Sequence, residues 1–133
     1  FGATWVLLDE LLERADFIVL NMPLTDDTTG MIGAREFSLM KATAVVVNAA
    51  RGPVWDQPAL LASLRAGHLH AAATDVTYPE PLRRDDEMLR EKRLIVLPHL
   101  GSATQQTRDA MAKMSVENLL AGLEDREVPH RIV

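Results

Sequence analysis

The chain has 133 residues, of which 47% are hydrophobic and 25% charged, with a formal net charge of -5 at pH 7. This length allows one domain with a buried core and leaves no room for a second full domain. The acidic balance argues against nucleic acid as a partner, and the absence of cysteine excludes disulfides and thiolate zinc sites. No apolar run approaches the roughly 18 residues of a membrane span. We therefore predict a soluble, cytoplasmic protein without a nucleic-acid or membrane partner.

Four apolar runs of strand length alternate with segments of helical period. The runs occupy residues 17–20, 44–47, 71–74 and 94–97. Nearly unbroken runs of β-branched or small residues are typical of parallel strands that are covered on both faces. Helices are predicted at 8–15, 35–41, 57–66 and 103–123. This order predicts an α/β fold built from βαβ units with right-handed crossovers.

The ends of two helices carry further signals. Pro58 suits the first turn of the third helix, and Gly67 suits its end. Ser102 or Thr104 can cap the fourth helix. Methionines and leucines can give that helix an apolar face, at Met111, Met114, Leu119 and Leu120. The charged stretch 83–93 is interpreted as a solvated loop with a short helix.

Three polar side chains follow the ends of predicted strands, namely Arg51, Glu80 and His99. In open α/β sheets, ligands bind beyond the carboxyl ends of the strands. A histidine can act as an acid or base, a nearby glutamate can orient it and raise its pKa, and an arginine can hold a carboxylate. Each residue alone could equally be a surface loop residue, but together they predict a site that binds a carboxylate and moves a proton.

The other histidines lack such a context. His68 and His70 follow a helix end and His130 lies in a polar tail, so all three are predicted to be surface residues. Their spacing does not fit a set of metal ligands, and we predict no metal site.

Several stretches, in this order, make the chain resemble the D-isomer-specific 2-hydroxyacid dehydrogenases. They include LLERADFIV at 11–19, NAARG at 48–52, DVTYPEPL at 75–82 and LPHLGSAT at 97–104. Within that family, the chain is most similar to the glyoxylate/hydroxypyruvate reductase branch. It departs from the usual pattern at Trp55, Ala71 and Thr74.

The resemblance implies a function and roles for the three polar side chains. It implies reduction of small 2-keto acids, such as glyoxylate or hydroxypyruvate, to D-2-hydroxy acids with NAD or NADP as cofactor. His99 would be the acid/base, Glu80 would keep His99 protonated, and Arg51 would bind the substrate carboxylate. The family also suggests a homo-oligomer, with a dimer expected.

The same resemblance implies contacts with the cofactor. They would come from the loop after the first strand, from the segment that ends at Arg51, and from residues near Glu80 and His99. The implied positions are Met22, Pro23, Leu24, Thr25, Ala49, Ala50, Arg51, Asp75, His99 and Gly101.

The glycine-rich G-x-G-x-x-G turn that binds the cofactor pyrophosphate is missing from this sequence. We therefore expect residues 1–123 to be the C-terminal part of a doubly wound, Rossmann-like nucleotide-binding domain, and 124–133 to be a tail that returns toward a substrate domain. The strand at 17–20 would then leave an open edge, and we predict that it pairs with another chain or that the chain is poorly soluble. Two other hypotheses stay open: a non-enzymatic, cofactor-sensing binding module, and an inactive fragment that assembles with a full subunit.

Overall fold

The computed structural model describes residues 2–132. Two residues lie outside the described part of the chain. They are Phe1, the first residue of the predicted segment 1–123, and Val133, the last residue of the predicted segment 124–133. The chain divides into two compact units, with the boundary between Pro98 and His99. The predicted boundary between 123 and 124 coincides with the end of the last helix and stays a prediction.

The first unit contains a parallel sheet of four strands in the order β1-β2-β3-β4. The strands are β1 Phe17–Leu20, β2 Val45–Asn48, β3 Ala71–Thr74 and β4 Leu94–Val96. Their bounds agree with the predicted runs to within about one residue, the usual uncertainty of an element boundary. The α/β fold with a parallel sheet is confirmed.

Residues 2–132 contain four α-helices, three in the first unit and one in the second. They are α1 Leu8–Arg14, α2 Ala34–Leu39, α3 Gln57–Arg65 and α4 Gln105–Leu123. Asp56 caps α3 by accepting the Ala59 N–H at 2.9 Å, and Gly67 follows that helix with φ at +74°. Of the two candidate caps for α4, Thr104 serves, since its Oγ1 accepts the Thr107 N–H at 3.3 Å.

Only one face of the sheet is fully buried. The neighbouring side chains of Ile18, Val46, Ala72 and Leu94 are 0–8% exposed, and they join one core cluster with side chains of α1, α2 and α3. On the opposite face, Val19 and Ile95 are 61% and 62% exposed. Each strand of the sheet lies next to the one before it in the chain, always in the same direction across the sheet. With right-handed crossovers, this order places α2 and α3 on the same face of the sheet. The sequence predicted that both faces of the sheet would be covered. Within the described residues, one face is covered.

The second unit consists of a turn, α4 and a tail that returns along the helix. The Asn118 side chain accepts the His130 N–H at 3.0 Å and donates to the His130 carbonyl at 3.3 Å. His130 also lies 2.8 Å from Glu117, Nε2 to Oε2. The expected apolar face of α4 is exposed, with Met114 at 44% and Leu119 at 61%. No helix within residues 2–132 combines the length and apolar character needed to cross a membrane.

Candidate functional site

The loops that carry the predicted site residues follow successive strands. Residues 21–25 follow β1, residues 49–51 follow β2, and residues 75–80 follow β3. Because the three strands are parallel and adjacent, these loops leave the same edge of the sheet. His99 follows β4 and opens the second unit. Arg51 and Glu80 are thus described within the first unit, and His99 within the second.

A groove of about 470 Å³ lies beyond β1 and β2. Six of the residues expected to contact the cofactor line it, together with Asn21: they are Met22, Pro23, Leu24, Ala49, Ala50 and Arg51. Thr25 does not line the groove but organises the turn behind it, since the Thr25 carbonyl accepts the Thr29 N–H at 3.0 Å. The lining thus combines five apolar residues with one amide residue, Asn21, and one cationic residue, Arg51.

Asn48 shapes the loop that carries Arg51. This side chain is fully buried at the end of β2. Its Oδ1 accepts the Ala50 N–H at 3.0 Å, and its Nδ2 donates to the Arg51 carbonyl at 2.9 Å. Asn48 was not among the predicted site residues, although an amide at the end of an apolar strand indicates a buried polar group that needs partners.

The Arg51 side chain is exposed at the groove. Its Nη1 donates to the Ala50 carbonyl at 2.7 Å, while the Arg51 carbonyl also accepts the Val54 N–H at 3.1 Å. The first bond holds the Arg51 side chain against the preceding residue, and the second fixes the Arg51 backbone. A guanidinium in this setting can present its remaining N–H groups to a carboxylate as a bidentate donor.

The loop after β1 is joined to the segment that follows Arg51. Gly30 donates its N–H to the Pro53 carbonyl at 2.8 Å, and Ile32 donates to the Val54 carbonyl at 3.2 Å. The Asp56 N–H donates in turn to the Ile32 carbonyl at 2.9 Å. These bonds join the chain that follows residues 21–24 to the chain that follows residues 49–51.

The segment that carries Glu80 lies directly against the segment that carries Arg51. A Cβ built on Gly52 would lie 2.2 Å from the Thr77 carbonyl oxygen, so only glycine permits this approach. Thr77 donates its N–H to Glu80 Oε2 at 3.2 Å and its hydroxyl to the Pro79 carbonyl at 2.9 Å. The structure therefore brings the Arg51 and Glu80 segments together.

Thr74 closes the turn that carries Asp75. The Thr74 hydroxyl is buried and accepts the Val76 N–H at 3.2 Å, while the Asp75 N–H donates to the Asn48 carbonyl at 3.0 Å. Asp75 itself is half-buried. The departure from the family pattern at Thr74 thus has a structural role in this chain.

His99 has an unusual backbone conformation. Its φ is +55°, in the left-handed region that residues other than glycine seldom occupy. His99 and Gly101 are both exposed, and the Ala103 N–H donates to the Leu100 carbonyl at 2.9 Å in the turn between them and α4. Such conformations occur often at functional sites, where the surrounding structure maintains them.

The remaining histidines lie elsewhere. His68 is exposed with Nε2 3.2 Å from the Ser38 carbonyl, His70 is exposed, and His130 contacts Glu117. Within residues 2–132, no three side chains of a type that ligates metals lie close enough to share an ion.

The fold, the groove beyond the strand ends and the motifs along the chain define a dinucleotide-binding domain. Residues 1–101 match the family described as D-isomer specific 2-hydroxyacid dehydrogenase, NAD binding domain. The chain belongs to this family and contains a part of its NAD-binding domain.

Individual relatives agree with this assignment. The chain is 48% identical over 123 residues to glyoxylate/hydroxypyruvate reductase B of Cronobacter sakazakii. This alignment covers 92% of the chain and 38% of that enzyme. It superposes on the crystal structure of TT0316 protein from Thermus thermophilus with a TM-score of 0.94 and 41% identity, over 100% of this chain and 42% of that one. A D-isomer specific 2-hydroxyacid dehydrogenase from Xanthobacter autotrophicus, in complex with NADPH and MES, gives a TM-score of 0.79 at 33% identity, over 95% of this chain and 51% of that one. The chain therefore spans about two fifths of the length of the curated relative.

Proposed function

We propose that the full-length protein containing this chain reduces small 2-keto acids, such as glyoxylate or hydroxypyruvate, to D-2-hydroxy acids. The observation that carries the proposal is the groove beyond β1 and β2, which is lined mostly by apolar residues and includes Arg51. The name of the Cronobacter sakazakii relative supports the same substrates.

The groove fits one end of a nicotinamide dinucleotide. Met22, Pro23 and Leu24 would form one wall, and Ala49 and Ala50 would form the other. Asp75 and Gly101 complete the proposed contacts from the segments after β3 and β4. NADH or NADPH, when bound there, supplies the hydride for the reduction.

The proposed roles of the three polar side chains follow from their chemistry. Arg51 binds the substrate carboxylate through its free N–H groups. His99, as an imidazolium, donates a proton to the keto oxygen as negative charge develops there. The keto oxygen thereby becomes an uncharged hydroxyl group. Glu80 is proposed to pair with His99, which is the role that the family resemblance implies.

We further propose that the protein works as a homodimer in the cytoplasm. The family resemblance, which implies a homo-oligomer, supports this proposal.

The test is reduction of glyoxylate and hydroxypyruvate by the full-length gene product, followed as oxidation of NADH or NADPH. The variant His99→Asn removes the acid and keeps a residue type that tolerates the left-handed conformation. Its kcat should fall by about 100-fold or more, the usual contribution of a general acid.

The matched control is His70→Asn, which changes an exposed histidine after α3 and should alter kcat less than about twofold, as surface changes usually do. Wild-type protein that oxidises neither cofactor with either keto acid would contradict the proposed function. A His99→Asn variant with nearly full activity would contradict the role of His99.

A further inference from the structure

Gln57 joins the two loops that carry Arg51 and Glu80. It is the first residue of α3, five residues beyond Gly52. Its Nε2 donates to the Tyr78 carbonyl at 2.7 Å, and its Oε1 accepts the Tyr78 N–H at 2.7 Å. The carboxamide thus pairs with both backbone groups of one residue, as a neighbouring strand would.

This pairing lies beside the close approach of Gly52 to Thr77. Gly52 lies against the backbone of Thr77 and Tyr78. The Gln57 side chain is hydrogen-bonded to the backbone of the same Tyr78. The next bond in the series connects the Thr77 N–H to the carboxylate of Glu80. A continuous set of contacts therefore runs from the start of α3 to the Glu80 side chain.

We propose that Gln57 is a positioning residue that fixes Glu80 relative to Arg51. The inference rests on the proposed function, in which Arg51 and Glu80 both serve keto-acid reduction. The Tyr78 side chain is 68% exposed, so burial does little to hold it in place. The two hydrogen bonds from Gln57 are instead the specific restraint on its backbone, because they satisfy its donor and its acceptor together.

The test uses Gln57→Met, which keeps an unbranched side chain of similar length and good helix propensity but can neither donate nor accept as the amide does. In the full-length protein, we expect kcat/KM for keto-acid reduction at neutral pH to fall about 3–10-fold. The loss should lie mainly in kcat, because a displaced Glu80 impairs the proposed catalytic step and not cofactor binding. The KM for NADH or NADPH should change less than about twofold, because the groove is untouched.

Hydrogen exchange gives a readout that does not depend on activity. The Tyr78 amide should exchange about tenfold faster in Gln57→Met, because its acceptor is gone. Gln57→Ala should behave in the same way and serves if the methionine variant folds poorly. The control is Asp86→Ala, which also removes a bond from a side chain to a backbone N–H, that of Met88, in the same unit but leaves Tyr78 untouched.

The outcomes separate this inference from the proposed function. An active wild type whose kcat is the same in Gln57→Met, or falls equally in Asp86→Ala, overturns the positioning role alone. Unchanged exchange of the Tyr78 amide in both Gln57 variants overturns it as well. An inactive wild type overturns the proposed function, and the catalytic part of this inference fails with it.

Discussion

Gly52 lies where the Arg51 and Glu80 segments meet, and its missing side chain makes their contact possible. A Cβ there would come within 2.2 Å of the Thr77 oxygen and 2.8 Å of the Tyr78 nitrogen, and both are backbone atoms that cannot rotate away. We expect Gly52→Ala to lower the free energy of unfolding by about 2 kcal/mol or more, as overpacking with a backbone shift does. Chemical denaturation measures this.

The control for Gly52 is Gly122→Ala near the end of α4, where an added Cβ meets nothing within 4 Å. Alanine is the better helix former, so this variant should be stabilised by up to about 1 kcal/mol. A Gly52→Ala variant as stable as the wild type would show that the two segments can separate at no cost.

Trp55 combines a large buried ring with a polar atom that lacks a partner. The residue is 2% exposed, and its Nε1 has no hydrogen-bond acceptor among the described residues. Trp55→Ala should cost about 3–5 kcal/mol through the cavity it creates. Trp55→Phe should change stability by less than about 1 kcal/mol, because the loss of ring volume is offset by removal of an unpaired buried donor. Thermal unfolding distinguishes the two, and equal losses would contradict this account.

At the scale of elements, one arginine connects α1 and α2. Arg35 donates to Asp9 of α1 at 3.1 Å and to its neighbour Glu36 at 2.9 Å, and Glu36 also accepts the Gly33 N–H at 3.0 Å. Hydrogen bonds from the guanidinium lower the pKa of Asp9 and of Glu36 below their ordinary values of 3.8 and 4.5. Because both carboxyls are more acidic in the folded chain, their contribution to stability is complete above the ordinary values and is lost as the pH falls through the lowered ones.

The variant Arg35→Met should therefore flatten the acid side of the stability curve. As the pH falls below 4.5, we expect the Tm of the wild type to decrease more than the Tm of the variant. The effect should be modest and should decrease with added salt, because Asp9 and Arg35 are exposed. Arg84→Met, which changes an exposed arginine of the charged loop, is the control. Parallel curves for wild type and Arg35→Met would contradict the assignment.

At the scale of the whole molecule, β1 forms one edge of the sheet. Among the described residues it pairs with β2 only, and Phe17 and Val19 are exposed on the uncovered face. An apolar edge of this kind favours pairing with another chain. We expect residues 1–133 to self-associate in sedimentation experiments, and Val19→Lys to weaken that association. Leu89→Lys, outside the sheet, should leave it unchanged.

The result that would refute this prediction is specific. It is a proven monomer of residues 1–133 in which the amides of 17–20 exchange as slowly as those of 45–47. Protection in such a monomer would mean that the edge is closed without a partner.

The sequence by itself determined the order and type of the elements, because the strand runs, Pro58, Gly67 and Thr104 act through local periodicity and capping. It also located Arg51, Glu80 and His99 after strands, since that depends only on chain position. The match to the family's NAD-binding domain confirms the class of protein that these motifs indicated.

Only the tertiary structure decided which segments meet. The contact of Gly52 with Thr77, the pairing of Gln57 with Tyr78 and the clamp of Asn48 on the Arg51 loop join backbone and side-chain atoms that no periodic pattern encodes. The one-sided burial of the sheet has the same origin. An apolar strand can be covered on one face or on two, and the direction of successive crossovers determines which occurs.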